Sequence, residues 1–374
     1  MQFADIIGLA EIKQRLLKAV SNNHLAHALL FAGPEGGGQL SLALAMATYV
    51  NCTNKQEGDA CGECPSCQKM KNIAHPDVHF AFPVSATKQF TGKDVVSDNF
   101  LPDFRKYLAS EAHPTLAGWV AAFSGENRQV NISKEESRRI IRSLALKSYE
   151  AEYKVMIIWL PEKMHIAASN ALLKIIEEPP KNTLFFLVTN QEQQLIGTIR
   201  SRTQMVKVPH YSPAELQEIL QRDGGASEER AMQLAQIAET VPEAMALLEE
   251  GEEDSQELFR QWMRLCYSWD FAQLMQLTEA FAKYNKLRQQ GMLQYGMSIM
   301  RASLLQHYGA QDLQALNQGG QDFVGRFSRV MNMEQVEWIN RLIGDAAYHL
   351  ERNANAKITF FNLSLRIASI LRGQ

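Results

Sequence analysis

The sequence predicts an α/β protein, a parallel sheet flanked by helices, followed by a region of helices alone. Three observations carry this. Short unbroken apolar runs occur at Ala28–Ala32, Lys154–Leu160 and Thr183–Thr189, the signature of strands buried on both faces. Segments with helical spacing separate them, and alternation of strand and helix argues for a parallel sheet. Beyond Pro209 the strand signal fades, and amphipathic helical patterns run to the C-terminus.

Taken in order, Ile12 to Val20 has Leu16, Leu17 and Val20 on one helical side. Ala28–Ala32 leads into a glycine-rich turn, and Leu40 to Tyr49, rich in Ala and Leu, continues as a helix. Residues 81–130 break the rhythm. They hold Phe82-Pro83, several Ser, Thr and Gly, and an amphipathic stretch near Phe104 to Leu108. They read as an insertion with a helix or two on the surface. Ser133 to Leu144 is a helix opened by a capping box, Ser133 with Glu136. Ala167 to Glu178 is a helix stopped by Pro179-Pro180. Met205 to Val208 fits a short fourth strand. Ser212 is a helix N-cap with Pro213 at the first helical position. Residues 227–250 read as helical, and Gly251-Glu252-Glu253-Asp254 as a linker.

The chain has 374 residues, 46% of them hydrophobic and 21% charged, ordinary for a soluble protein of two or three domains. No apolar run approaches the roughly 18–20 residues of a membrane span. Met1 to Ala10 lacks a basic n-region and an apolar core, so no signal peptide is expected and the cytosol is the expected compartment. The net charge of −3 excludes a chain that is basic throughout. The balance changes along it: +4 over 131–210, −9 over 211–265 and +3 over 266–374. Lys134, Arg138, Arg139 and Arg142 fall on one helix. Phosphate contact and a solvated helix face both fit them.

The turn after the first strand reads Gly33-Pro34-Glu35-Gly36-Gly37-Gly38-Gln39-Leu40. A phosphate-binding loop needs Gly-x-x-x-x-Gly-Lys followed by Ser or Thr, between a strand and a helix. Its backbone N–H groups surround the phosphates, the lysine reaches the β- and γ-phosphates, and the hydroxyl holds Mg²⁺. Here Gly33 and Gly38 keep the frame, but Gln39 replaces the lysine and Leu40 the hydroxyl. The strand that should end in a metal-binding acid runs instead into Trp159-Leu160-Pro161-Glu162. Glu162 lies past the acid position. Independent ATP hydrolysis is not expected. Weak nucleotide binding stays open, because a helix N-terminus still offers free N–H groups.

Four of the five cysteines, Cys52, Cys61, Cys64 and Cys67, lie within sixteen residues. Two Cys-x-x-Cys steps can wrap one ion, and four thiolates suit tetrahedral Zn²⁺. A cytosolic setting disfavours disulfides. An iron–sulfur cluster is the rival, with no other sign of redox chemistry. Four protein ligands leave no open position, so the role is structural. His75 and His79 are nearby but are not needed. Cys266, alone in a helical pattern, reads as a small core residue.

Phe3 to Gly8 and His27 to Pro34 resemble the opening of AAA+ clamp-loader subunits. Asn170 to Pro180 is similar to the helix before their sensor strand, and Leu184 to Asn190 to that strand. Thr198-Ile199-Arg200-Ser201-Arg202-Thr203 is similar to their Ser-Arg-Cys motif, with Thr203 for the cysteine. The cysteine cluster sits where bacterial clamp loaders carry theirs. The chain thus resembles the clamp-loader family of bacterial DNA polymerase III, among the subunits that no longer hydrolyse ATP.

That resemblance implies an AAA+ α/β domain over 1–210, with a zinc module at 52–67 and an insertion at 81–130. A helical lid over 211–252 and an oligomerising collar over 253–374 follow. It implies that Arg202, with Ser201, enters the ATP site of a neighbouring gamma/tau subunit as an arginine finger. Gly33, Gly38, Gln39 and Leu40 are then vestigial, and Glu243 stands where an active subunit has its sensor-2 base. The implied partners are gamma/tau and delta subunits in a hetero-pentameric ring, the sliding clamp, and primer-template DNA. Zn²⁺ is the implied cofactor, and the polymerase holoenzyme the larger assembly. The alternatives are a nucleotide-binding motor subunit with degenerate motifs and a zinc-dependent nucleic-acid binder. The latter is disfavoured by the three lysines, Lys55, Lys69 and Lys71, that are all the basic residues of 51–71.

Overall fold

The computed structural model describes residues 1–124, 129–249, 252–284, 286–307, 324–325, 331–352 and 354–372. The chain divides into two compact units, Met1–Asp223 with Glu239–Pro242, and Gly224–Ala238 with Glu243–Gln374.

The first unit is built on five strands: β1 (Ala28–Ala32), β2 (Val78–Ala81), β3 (Lys154–Trp159), β4 (Thr183–Thr189) and β5 (Gln204–Lys207). Their order is β2-β3-β4-β1-β5, and every pairing is parallel. Alternate side chains of a strand point to opposite faces, and the apolar runs sort accordingly. Leu29, Phe31, Val155, Ile157, Trp159, Phe186 and Val188 enter one core. Leu30, Met156, Ile158, Phe185 and Leu187 enter the other. The first core is closed by α1 (Ala10–Ser21), α2 (Gln39–Val50), α3 (Pro65–Lys71), α4 (Ser97–Ser110) and α5 (Leu116–Ser124). Residues of α6 (Lys134–Ala145), α7 (Ile166–Glu177) and α8 (Gly197–Arg200) fill the second.

Register fixes the two ends of the sheet. Leu29 lies beside Gln204, and Ala32 beside both Lys207 and Thr189. The glycine-rich turn therefore sits at the carboxyl ends of the strands, and the segment before β5 at the amino ends.

Four expectations change. β2 was not foreseen; it is four residues long and pairs with β3 at the sheet edge. The insertion is not a surface appendage. Phe82, Phe104 and Trp119 are fully buried, with Phe82 stacked on Phe104 at 4.0 Å and Trp119 edge-on to both. The capping box at Ser133 is half formed. Ser133 Oγ accepts from the Glu136 N–H, but the Glu136 carboxylate turns inward to the Ser97 N–H and Arg139. The linker proposed at 251–254 falls largely within α12 (Glu252–Ser268). Gly251 lies outside the described residues.

α9 (Pro213–Arg222) completes the first unit, with the full capping box between Ser212 and Glu215. The Leu9 N–H donates to Glu215 and Arg222 to the Asp5 carbonyl. The segment 227–250 is two helices, α10 (Glu228–Ala235) and α11 (Val241–Glu249); α11 begins in the first unit and ends in the second.

The second unit is all helical among its described residues. α12, α13 (Phe271–Lys283), α14 (Lys286–His307), α15 (Met333–Glu351) and α16 (Ala356–Leu371) share one core. Phe281 stacks on Phe360 at 3.9 Å, and Trp262 Nε1 donates to Ser364 Oγ. Cys266 is fully buried there, the small core residue expected.

Candidate functional site

The glycine-rich turn joins β1 to α2 as a phosphate loop requires. Gly36 and Gly38 adopt φ of 71° and 84°, a region open to glycine and strained for other residues. The frame lacks the lysine and the hydroxyl. Gln39 is buried, and its Nε2 bends back to the Pro34 carbonyl at 2.6 Å and to Asn190 Oδ1 at 3.4 Å. Leu40 joins the apolar core. Trp159, at the place of the metal-binding acid, is buried, its ring 5.6 Å from Phe104 of the insertion.

Glu162 does not replace that acid. Leu160 takes a left-handed conformation at φ 56°, and the chain turns back toward β4. Glu162 Oε2 then accepts from the Thr189 hydroxyl at 2.8 Å, and Oε1 from the Asn190 N–H at 3.2 Å. Burial holds its carboxyl above the usual range. This carboxylate serves the end of the sensor-like strand.

The loop is covered on several sides by its own unit. A Cβ on Gly36 would meet Pro242, and one on Gly38 would meet the Tyr211 hydroxyl and Leu9. Burial pushes the Tyr211 phenol up to about 12. The turn between α4 and α5 crosses the loop. His113 Nδ1 lies 3.3 Å from the Gly36 carbonyl, and the Leu116 N–H donates to Glu35 at 3.1 Å. The remaining cavity is about 270 Å³, open solvent included, lined by Gly38, Gln39, His113 and Trp159 among others.

The arginine lies at the other end of the sheet. Thr203 precedes β5, and its hydroxyl donates back to the Ile199 carbonyl. Ser201 caps α8 through its Oγ to the Thr198 carbonyl. Arg202 Nε donates to Glu177 at 2.7 Å, with Nη1 on the Thr198 carbonyl. Its side chain is 31% exposed and that of Glu177 55%. At about 3.3 Å of rise per residue, a strand of the length of β1 separates Arg202 from the loop by roughly 15 Å.

Of the basic residues on α6, Arg139 is spoken for: it pairs with Glu136 and Asp98 and donates to the Phe80 carbonyl. Arg138 pairs with Glu135, while Lys134 and Arg142 are exposed.

The four cysteines converge. The Sγ atoms of Cys52, Cys61, Cys64 and Cys67 all lie within 4.8 Å of one another, with Cys52–Cys61 at 3.5 Å and Cys61–Cys67 at 3.9 Å. Tetrahedral ligands about 2.3 Å from Zn²⁺ stand about 3.8 Å apart, so the donor set fits. The Cys61 and Cys64 N–H groups donate to the sulfurs of Cys52 and Cys61, which favours thiolate. Burial pushes the Cys52 and Cys67 thiols up, and a cation would offset that. The cluster is tied to the N-terminus. Asp59 accepts from the Phe3 and Ala4 N–H groups, and Gln2 donates to the Ala60 carbonyl.

A family model described as DNA polymerase III, delta subunit, matches residues 8–212, more than half of the chain. The chain belongs to that family. Among curated relatives, the delta-prime subunit of Bacillus subtilis is 27% identical over 244 residues, 63% of this chain and 59% of its own length. The delta-prime subunit of Escherichia coli is 24% identical over 358 residues, 92% and 90%. A gamma/tau subunit of Mycobacterium tuberculosis is 26% identical over 220 residues, 59% and 31%. The chain thus spans less than two thirds of the first and third of these relatives. The family match contains the loop, the cysteines and Arg202, and it ends before α9.

Sequence reasoning missed Glu177 as the partner of Arg202, His113 and Glu35 as the tie across the loop, and the bonds of Glu162. Glu177 had a signal, since it lies in the same quoted motif as Pro179. His113 had none, being 77 residues from Gly36.

Proposed function

We propose that this chain is a delta-prime-type subunit of a bacterial clamp loader, without ATP hydrolysis of its own. It acts on a neighbour's ATP. Arg202 is the arginine finger, stabilising charge on the γ-phosphate in the adjoining gamma/tau subunit, and Ser201 shapes the turn that presents it. The observation that carries this reading is placement. Arg202 stands at the amino ends of the strands, the family's phosphate loop at the carboxyl ends. The two lie roughly 15 Å apart within one chain, so a nucleotide phosphate that Arg202 meets would be one held by another chain. The loop, closed by Gln39 and lacking lysine, hydroxyl and acid, argues against the motor-subunit alternative.

In this reading the α/β unit is of AAA+ type, residues 211–252 serve as lid, and 253–374 as the collar that joins gamma/tau and delta subunits in a ring. The assembly opens a sliding clamp and grips primer-template DNA through phosphate contacts, within the cytoplasmic polymerase holoenzyme. Cys52, Cys61, Cys64 and Cys67 hold one Zn²⁺, which supplies cross-linking and no catalysis.

Leaving Glu177 is cheap for Arg202, since an exposed ion pair contributes about 0–1 kcal/mol. The test is Arg202→Ala in a reconstituted complex. Assembly and nucleotide affinity should persist while DNA-stimulated ATPase falls. Arg202→Lys should not rescue it, because lysine lacks the planar fork. Unchanged ATPase in Arg202→Ala removes the finger.

A further inference from the structure

The insertion has no part in the function above, yet it crosses the vestigial loop with specific polar contacts. We propose that its α4–α5 turn, residues 112–114 centred on His113, is a built-in strap that occupies the nucleotide site of its own chain. Three observations carry this.

First, the turn is bonded to the loop at two points. His113 Nδ1 meets the Gly36 carbonyl at 3.3 Å, and the Glu35 carboxylate accepts from the Leu116 N–H, the start of α5, at 3.1 Å. Second, the other ring nitrogen, Nε2, meets Asp223 Oδ2 at 2.9 Å, and both side chains are nearly buried. Asp223 is the last residue before the chain first leaves the first unit. One imidazole therefore ties the loop to the end of α9. Third, the seat of the strap is made from the lost site. Trp159, where a metal-binding acid would stand, packs on Phe104 of α4, and Trp119 of α5 packs on the same ring at 5.2 Å. An aspartate there would put a charge in that aromatic core.

The replacement that ends metal binding thus also docks the insertion. The loop is held in one conformation whatever the nucleotide concentration. This rests on contacts within the first unit and is independent of the Arg202 reading.

The test uses the full chain. In His113→Ala, hydrogen exchange of the amides of residues 36–40 should quicken about tenfold or more, with β4 unchanged. Unaltered exchange in the loop overturns the strap. A second arm asks about occupancy. In a chain carrying Gln39→Lys and Leu40→Thr, MgATP is titrated with and without His113→Ala and Pro114→Gly. A gain in affinity of at least about tenfold on loosening the strap supports occupancy; no gain overturns it. Should the refitted loop fail to fold, the exchange measurement decides alone.

Discussion

The two ends of the sheet make an instructive contrast. At the carboxyl ends, the polar groups around the loop are turned inward. Gln39 bonds Pro34, Glu162 bonds Thr189 and Asn190, and His113 bonds Gly36. At the amino ends, Arg202 keeps a third of its side chain in solvent and leans on an exposed carboxylate. Buried polar groups must find partners or be costly. Around the loop those partners come from the protein's own chain. A group that serves a partner has to stay loosely held. On the proposed function, the difference separates a residue kept for folding from one kept for a neighbour.

Several substitutions break or sharpen that contrast. The largest effect should come from metal. Helix α2 runs from the loop to the cysteine cluster, and structural Zn²⁺ in small peptides is worth about 10–16 kcal/mol of apparent binding. Metal analysis should give one Zn²⁺ per chain. Chelation, or Cys64→Ser, should lower the melting temperature and speed hydrogen exchange over residues 1–9 and 52–71. A folded, metal-free chain with unchanged exchange there would refute the assignment.

Next comes the seat of the insertion. Trp119→Ala removes a fully buried ring and its bond to the Pro83 carbonyl, and should cost about 3–5 kcal/mol in denaturant unfolding. Arg202→Ala should cost far less in the same assay.

Two carboxyls, Asp77 buried and Glu162 half-buried, give the contrast a pH signature. Asp77, before β2 at the amino ends, is nearly buried. Burial opposes its charge, but the N–H groups of Glu150, Tyr149 and Ala151, at 2.6–2.8 Å, hold its carboxyl below the ordinary range. Its contribution is full above the unfolded pKa of about 3.9 and is lost as pH falls through the folded value. Glu162, held above the usual range by burial, has the opposite sign. Its contribution is full below about 4.3 and is lost as pH rises through the folded value. Asp77→Asn should cost about 1–3 kcal/mol near neutrality and flatten the acid limb of stability. Glu162→Gln should flatten the rising-pH limb. Identical pH profiles in wild type and Asp77→Asn would show that the three N–H bonds do not govern it.

The smallest effect should be Glu177→Ala, under about 1 kcal/mol. Equilibrium unfolding checks it, and a loss of several kcal/mol would make Arg202–Glu177 a structural pair.

Much of this was legible in the sequence for a physical reason. β1, β3 and β4 are buried on both faces, so their apolar runs are continuous, and the glycines of the loop sit in a fixed strand–turn–helix frame. The four cysteines are close in sequence as well as in space. β2 escaped because Val78–Ala81 is short and carries His79. The insertion escaped because its order comes from rings far apart in sequence, Phe82, Phe104, Trp119 and Trp159. The run from Glu252 to Asp254 read as a linker because it is acidic, yet acidic residues suit the first turn of a helix. Ser133 and Glu136 have the spacing of a capping box, but the Glu136 carboxylate found stronger partners in Arg139 and the Ser97 N–H.

The most direct test of a closed site at one end and a working residue at the other compares them in one assay. DNA-stimulated ATPase is measured for the reconstituted complex carrying Arg202→Ala and, separately, Gln39→Ala. The account predicts loss of turnover at the neighbouring site in the first, up to the order of 10³-fold, and unchanged turnover in the second. Equal loss in both, or full activity with Arg202→Ala, would contradict it.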